Sequence, residues 1–347
     1  MVEPPLNPLG RAFEVALRNV LPPVWGISLD REVAARGPRV DAYLNLTPPT
    51  GERIRACVEW KSRAEPSEVA RIVPWLRACG PAIFVAPTIG SRARGILSSA
   101  GISWMEPDGD CRIALGSLFV ERLGKDRPRK EAGAKDSRFV ADLFSGRALS
   151  VVRWLLIEPD RPWSLADMAT RTGLTQGFVS RTFKTLARDA YLNRAPNASR
   201  LSDRDALLEA WAAAPAPADE VSERVATVSG VEALVRMLRD QPALGRYALT
   251  AEAAADKLAP FARFSRVELY CDDVTAWDLA LGLVPVPRGG NLVLLKPVDR
   301  TVFDGSFARD GVTLVSRPQL YVDLERRGGA AAEGAVFIRE RGELWPR

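Results

Sequence analysis

The pattern of apolar and polar positions along the chain predicts a helix at about Leu9 to Val20, followed by an apolar strand, Arg39 to Leu46. The turn Pro48-Pro49-Thr50-Gly51 leads into a second strand, Arg53 to Ser62. A helix near Pro66 to Ala78, a buried strand Ala82 to Ala86, a helix Ser91 to Ala100 and a short strand Ile102 to Met105 come next. The Asp108-Gly109 turn joins these to a last strand, Cys111 to Leu115. Strands and helices in this mixed order predict an α/β sandwich.

Farther along, Leu149, Val152, Leu155 and Leu156 stand at helical spacing within Arg147 to Ile157, and Pro159 and Pro162 end that helix. Ser164-Leu165-Ala166-Asp167 is a capping box that starts a second helix, with Leu165, Met168 and Ala169 on its inner face. Gly173 supplies the turn, and Thr175 caps a third helix running to about Ala190. Val179, Phe183 and Leu186 form the buried ridge of that helix. Gln176, Ser180, Lys184 and Arg188 form the opposite one, flanked by Arg181. Tyr191 to Arg194 and Ser199 to Ser202 flank a Pro196-Asn197 turn, which predicts a small β-wing carrying Arg194 and Arg200. Ser202-Asp203-Arg204-Asp205 caps a further helix.

The last third reads as strand Arg246 to Leu249, helix Ala251 to Leu258, strand Arg266 to Cys271 and a helix near Thr275 to Leu281. A hairpin through Arg288-Gly289-Gly290 is expected, with Asn291 to Leu295 as its return strand. A strand at Val312 to Val315 and helices at Pro318 to Arg326 and Ala330 to Arg339 close the chain. Two segments cannot bury a face and read as linkers: the charged run Glu121 to Arg138 and the Pro/Ala spacer Ala212 to Glu220. The domains expected are therefore 1–120, 139–211 and 221–347, joined by linkers 121–138 and 212–220.

Composition narrows the chemistry. The 347 residues include no histidine, so there is no Ser-His-Asp or Cys-His nucleophile and no histidine metal ligand. The four cysteines, Cys57, Cys79, Cys111 and Cys271, form no Cys-x-x-Cys pair, which excludes a zinc finger and suits a reducing compartment. Any metal site must come from carboxylates, which points to Mg²⁺. No apolar run approaches the roughly 18 residues that span a bilayer, and Met1 to Gly10 lacks a signal-peptide layout, so a soluble cytoplasmic protein without membrane partners is expected. Residues 121–200 hold 16 Lys/Arg against 9 Asp/Glu, an excess of seven, while the whole chain carries only +5. All of the positive excess sits in one stretch, the electrostatic footprint of nucleic-acid binding.

Two constellations carry candidate chemistry. On the third helix of the middle block, Gln176, Ser180 and Arg181 are placed to read base edges, and Lys184, Arg188, Arg194 and Arg200 to clamp phosphates of double-stranded DNA. In the N-terminal block, Glu59 and Lys61 stand two apart on one face of a strand, and Asp41 comes near that face if the two strands form a hairpin. Two carboxylates could then hold Mg²⁺ while Lys61 polarises a water, a layout suited to phosphodiester hydrolysis. The alternative is a strand end bearing a surface ion pair. Asp272-Asp273 is better explained as a strand-end turn.

The strand–Asp41, turn, strand–Glu59-x-Lys61, helix, strand order over roughly residues 9–116 resembles the PD-(D/E)xK restriction-endonuclease-like superfamily, with Glu14 where some members carry an extra acid. The middle block resembles a winged helix of the bacterial regulator type. Together with the C-terminal block, through Arg246-Tyr247-Ala248-Leu249-Thr250 and Pro318-Gln319-Leu320-Tyr321-Val322-Asp323-Leu324, it resembles the AbiEi antitoxins of type IV toxin–antitoxin systems. These resemblances imply an α/β multidomain protein: a nuclease-like sandwich, a central winged helix-turn-helix and a C-terminal α/β module. They imply a transcriptional regulator that represses its own operon, with a nucleotidyltransferase-like toxin as partner and a second copy of the chain as an open option. No cofactor is required for DNA binding. A Mg²⁺-dependent endonuclease targeted by the winged helix is the rival reading, and an interaction protein with an incidental basic face is the third.

Overall fold

Side chains alternate strictly along strand β3 (Ile54–Trp60): Ala56, Val58 and Trp60 enter one apolar layer, and Cys57 enters another. The computed structural model that shows this describes residues 8–30, 40–124, 143–216, 218–226, 231–239, 245–261 and 263–345. The chain divides into two compact units, Met1–Ala134 with Leu186–Ala190, and Lys135–Thr185 with Tyr191–Arg347.

In the N-terminal unit, β1 (Gly26–Asp30), β2 (Ala42–Thr47), β3, β4 (Ala82–Val85), β5 (Ser103–Met105), β6 (Cys111–Leu115) and β7 (Leu118–Arg122) form one sheet in chain order. Its centre is parallel, β3 on β4 and β4 on β5, and the outer pairs are antiparallel. Helix α1 (Pro8–Val20) buries Phe13, Ala16 and Leu17 on one face with Leu44, Val58 and Ile83. Helices α2 (Pro66–Ala78) and α3 (Ser91–Ser99) bury Val69, Leu76, Ala93 and Leu97 on the other with Cys57, Phe84 and Trp104. The result is a sheet between helical layers, the α/β sandwich expected.

Two edge strands were not expected. The edge strand β1 alternates only between half-buried and exposed positions, which gives it a weak apolar signal. Strand β7 carries the sheet to Arg122, two residues into the segment read as a linker, because Glu121 finds a cross-strand partner in Arg112. The rest of that segment and the start of the expected middle block, 125–142, lie outside the described residues.

Beyond residue 142, helices α4 (Gly146–Ile157), α5 (Leu165–Thr172) and α6 (Gln176–Arg188) precede a hairpin of β8 (Leu192–Asn193) and β9 (Arg200–Leu201), then α7 (Arg204–Ala213). A seven-stranded mixed sheet follows: β10 (Glu220–Val225), β11 (Tyr247–Thr250), β12 (Val267–Cys271), β13 (Val284–Pro285), β14 (Leu292–Lys296), β15 (Phe307–Arg309) and β16 (Val312–Leu314). Helices α8 (Val231–Arg239), α9 (Ala251–Leu258), α10 (Val274–Leu281), α11 (Arg317–Arg327) and α12 (Gly329–Glu340) accompany it. Helix α11 packs against α4, α7, α9 and α12.

The sheet order β13-β10-β14-β12-β11-β16-β15 corrects one expectation. The Arg288-Gly289-Gly290 turn does not close a hairpin, because β10 lies between β13 and β14 and pairs antiparallel with both. Gly290 permits this crossing: a Cβ there would stand 2.4 Å from the Arg224 carbonyl oxygen, so only glycine lets the chain pass this close to β10. Strand β10 begins inside the segment read as a Pro/Ala spacer, and α7 ends within it. Among the described residues, no helix is long and apolar enough to cross a membrane.

Candidate nucleic-acid interface and carboxylate–lysine site

The local signals of the helix-turn-helix reading appear as hydrogen bonds. Ser164 Oγ accepts from Asp167 N at 3.0 Å and donates to the Asp167 carboxylate at 2.7 Å, which fixes the start of α5. Gly173 ends that helix in the left-handed conformation at φ 68°. Thr175 Oγ1 then accepts from Phe178 N at 3.3 Å and starts α6.

Helix α6 buries Val179, Thr182, Phe183 and Leu186 and turns Gln176, Arg181 and Lys184 to the surface. Ser180 is half-buried on the same ridge. Arg188, at the far end, is also half-buried and pairs with Asp189 at 3.3 Å, so part of its charge is already met within the protein. Arg194 and Arg200 stand exposed on the hairpin, and Arg200 Nη1 donates to the Asp160 carbonyl at 3.2 Å. A third short stretch joins the hairpin: Trp163 and Ser199 exchange both backbone hydrogen bonds at 2.8 Å.

One basic residue here escaped the sequence reading. Arg147, in the first turn of α4, lines a cleft of about 430 Å³ with Gly146, Phe178, Arg181 and Thr182. Its place at the start of a mostly apolar helix marks it only as a helix start. The signal that could have found it is the absence of any acid in that first turn.

In the N-terminal unit the structure brings Asp41, Glu59 and Lys61 together. Asp41, exposed just before β2, accepts from the Trp60 backbone N–H at 2.9 Å. Glu59 on β3 is buried, and Lys61 Nζ donates to its Oε1. Burial pushes the Glu59 carboxyl above its ordinary range and the nearby Asp41 charge adds to this, while Lys61 opposes both. Glu14 instead pairs with Arg18 one helical turn along α1, at 2.8 Å.

Among the described residues no group of three or more His, Cys, Asp or Glu side chains could hold a metal ion. Two carboxylates beside a lysine remain a hard-oxygen donor pair of the kind that takes Mg²⁺ with water completing the shell. The acidic pair at the end of β12 is structural: Asp273 caps α10 by accepting from Ala276 N, and Asp272 pairs with Arg246 at 3.1 Å.

No curated protein and no solved structure matches the chain. The model of one family does match it, over residues 200–342, from β9 to the end of α12. Over those residues the chain is similar to the family described as transcriptional regulator, AbiEi antitoxin, of type IV toxin–antitoxin systems.

Proposed function

We propose that the protein is a DNA-binding transcriptional regulator of the type IV antitoxin kind, that its middle module is a winged helix, and that it represses its own operon. The observation that carries this reading is the exposed ridge Gln176, Arg181 and Lys184 on a helix whose inner face is fully committed to the core. A helix held in this way can lay its outer ridge in the major groove. Gln176 and Arg181 are suited to adenine and guanine edges, with Ser180 beside them, and Lys184, Arg194, Arg200 and the more enclosed Arg188 to phosphates. A nucleotidyltransferase-like toxin is the partner that goes with an antitoxin, and a palindromic operator would call for two copies of the chain.

The test is fluorescence anisotropy of the full chain with a duplex covering its own promoter. Tight, salt-dependent binding that is lost when Gln176, Arg181 and Lys184 are all replaced by Ala is expected. Equal binding by that variant overturns the assignment.

A second reading rests on the meeting of Asp41, Glu59 and Lys61. These residues would hold Mg²⁺ between Asp41 and Glu59, where the ion would supply Lewis-acid activation for phosphodiester cleavage, with Lys61 orienting water. Supercoiled plasmid should then be nicked with Mg²⁺ or Mn²⁺ and not with EDTA. Glu59→Ala should lose metal binding and cutting together, and Lys61→Ala only the cutting. A gel shift without metal, and no cleavage under any divalent ion, leaves the regulator alone standing.

A further inference from the structure

Helix α4 is buried on nearly every side: Ala148, Leu149, Ser150, Val151, Val152, Arg153, Leu155 and Leu156 are all enclosed. A three-helix module with a hairpin needs only one stripe of its first helix for its own core. The second stripe of α4 belongs to the C-terminal sheet module, and a charged residue lies in it.

Arg153 is 3% exposed. Its Nη1 donates to Gln319 Oε1 on α11, its Nη2 lies 3.9 Å from Asp299, and its guanidinium stacks over the Trp211 ring of α7 with Cζ 5.0 Å from the centroid. The bonds continue inward. Gln319 Nε2 donates to Asp323 Oδ1 at 2.6 Å, and Asp323 also accepts from Thr250 Oγ1 on β11 at 2.6 Å and from Tyr270 on β12 at 3.3 Å. Trp154 Nε1 donates to Asp304 at 3.2 Å, and the loop at Gly305 comes so close to Ile157 that a Cβ there would stand 2.7 Å from its Cδ1.

An arginine sealed between two modules costs desolvation that a leucine would not. It returns directional bonds that admit only one docking of α4 on α11. Helix α4 in turn packs against α5, and its first turn shares the cleft of Arg147 and Arg181 with α6.

We infer that Arg153 is a positioning residue for DNA recognition: through Gln319 and α11 it sets the angle at which α4, and with it the exposed ridge of α6, is presented from the C-terminal sheet. This rests on the DNA-binding reading above. It predicts that affinity for DNA is set partly by a side chain that cannot reach DNA, and that the C-terminal module can influence operator binding through the same bonds.

The experiment uses the full chain and a fluorescein-labelled promoter duplex, with near-UV circular dichroism as the folding control. Arg153→Met and Gln319→Leu should each weaken binding on the order of tenfold at fixed salt, as expected for losing a buried bond to a charged group. The double variant should lose clearly less than the sum of the two single losses, because both remove the Arg153–Gln319 bond while each also removes contacts of its own. The slope of log K against log salt should stay at the wild-type value, whereas loss of a phosphate contact would lower it by about one. Arg153→Lys, which keeps the charge, should recover part of the affinity. Trp154→Phe, a milder change at the same junction, should show a smaller loss with the same unchanged slope, and serves if Arg153→Met fails to fold. Wild-type affinity in the single variants, strictly additive losses, or a lowered slope for Arg153→Met would each overturn the inference while leaving the DNA reading intact. A wild-type chain that binds no duplex overturns both.

Discussion

Trp163 and Ser199 bind each other through both of their backbone N–H and C=O groups, at 2.8 Å each, and so tie the segment entering α5 to the outgoing strand of the hairpin. The hairpin itself is short, with the pairs Leu192–Leu201 and Asn193–Arg200 and a bond from Ser202 N–H to the Tyr191 carbonyl at 2.8 Å. This bridge, with the Arg200 bond to the Asp160 carbonyl, ties it to the segment before α5. Ser199→Pro removes the N–H that meets the Trp163 carbonyl, at a buried position. Destabilisation of about 1–3 kcal/mol in chemical denaturation is expected. Weaker DNA binding should accompany it, since Arg194 and Arg200 lose their fixed place.

Lys184 and Arg194 are both exposed, one on the helix and one on the hairpin. Replacing either by Ala should weaken binding to every duplex alike and lower the salt slope by about one. Gln176→Ala should instead blur the preference among sequences, at a cost of about 1–3 kcal/mol on the preferred site. Competition anisotropy across a set of mutated operators separates the two behaviours.

Ala190 follows α6 with φ 59°, in the left-handed region that a Cβ disfavours by about 1 kcal/mol. Ala190→Gly should therefore be neutral to slightly stabilising, by about 0–0.5 kcal/mol, after subtracting the roughly 0.5–1 kcal/mol that the freer unfolded glycine chain costs. A lower melting temperature for this variant would show that the Ala190 methyl packs more usefully than its backbone angle suggests.

Burial raises the Asp323 carboxyl to about 6, against the donors Thr250 and Gln319 and the positive charge of Arg153. An unfolded aspartate titrates near 3.9, that is, about two units lower. Between these values the folded chain holds a proton that the unfolded chain has released. The contribution of Asp323 to stability is thus greatest below about pH 4, falls as pH rises through 6, and is level above it. Asp323→Asn should remove that fall, so the gap in melting temperature between variant and wild type should move in favour of the variant from pH 4 to pH 7. Asp219 and Asp304 are raised by burial in both proteins and cancel in the comparison. A gap constant with pH would refute the assignment.

Much of the middle module was legible because its determinants are local. The Ser164 cap, the Gly173 turn and the Thr175 cap each span four residues or fewer, so residue type and spacing imply the bond. The Asp41–Glu59–Lys61 meeting was legible for a similar reason, since one hairpin pairs Ala42 with Val58. What stayed hidden was non-local. Arg153 stands among apolar residues of α4 and gives no sign that its partner lies 166 residues away. The edge strand β1 has one side to water, and β10 is recognised only through β14, far along the chain. Gly289-Gly290 carries a turn signal, but Gly290 also serves a chain crossing, and sequence alone does not separate the two.

That crossing bears on how the chain reaches its native state. Strand β10 is made early and must wait for residues 284–296 before either of its edges is covered. Long-range pairing of this kind folds slowly, and until it is complete β10 offers two open edges, with Val221 61% exposed even in the finished fold. A chain ended between 226 and 284 would keep the helices of the middle module but carry an uncovered strand behind them. Such fragments should be collected as aggregates, and a chain ended before Glu220 avoids the open strand but still bares the stripe of α4 that α11 covers.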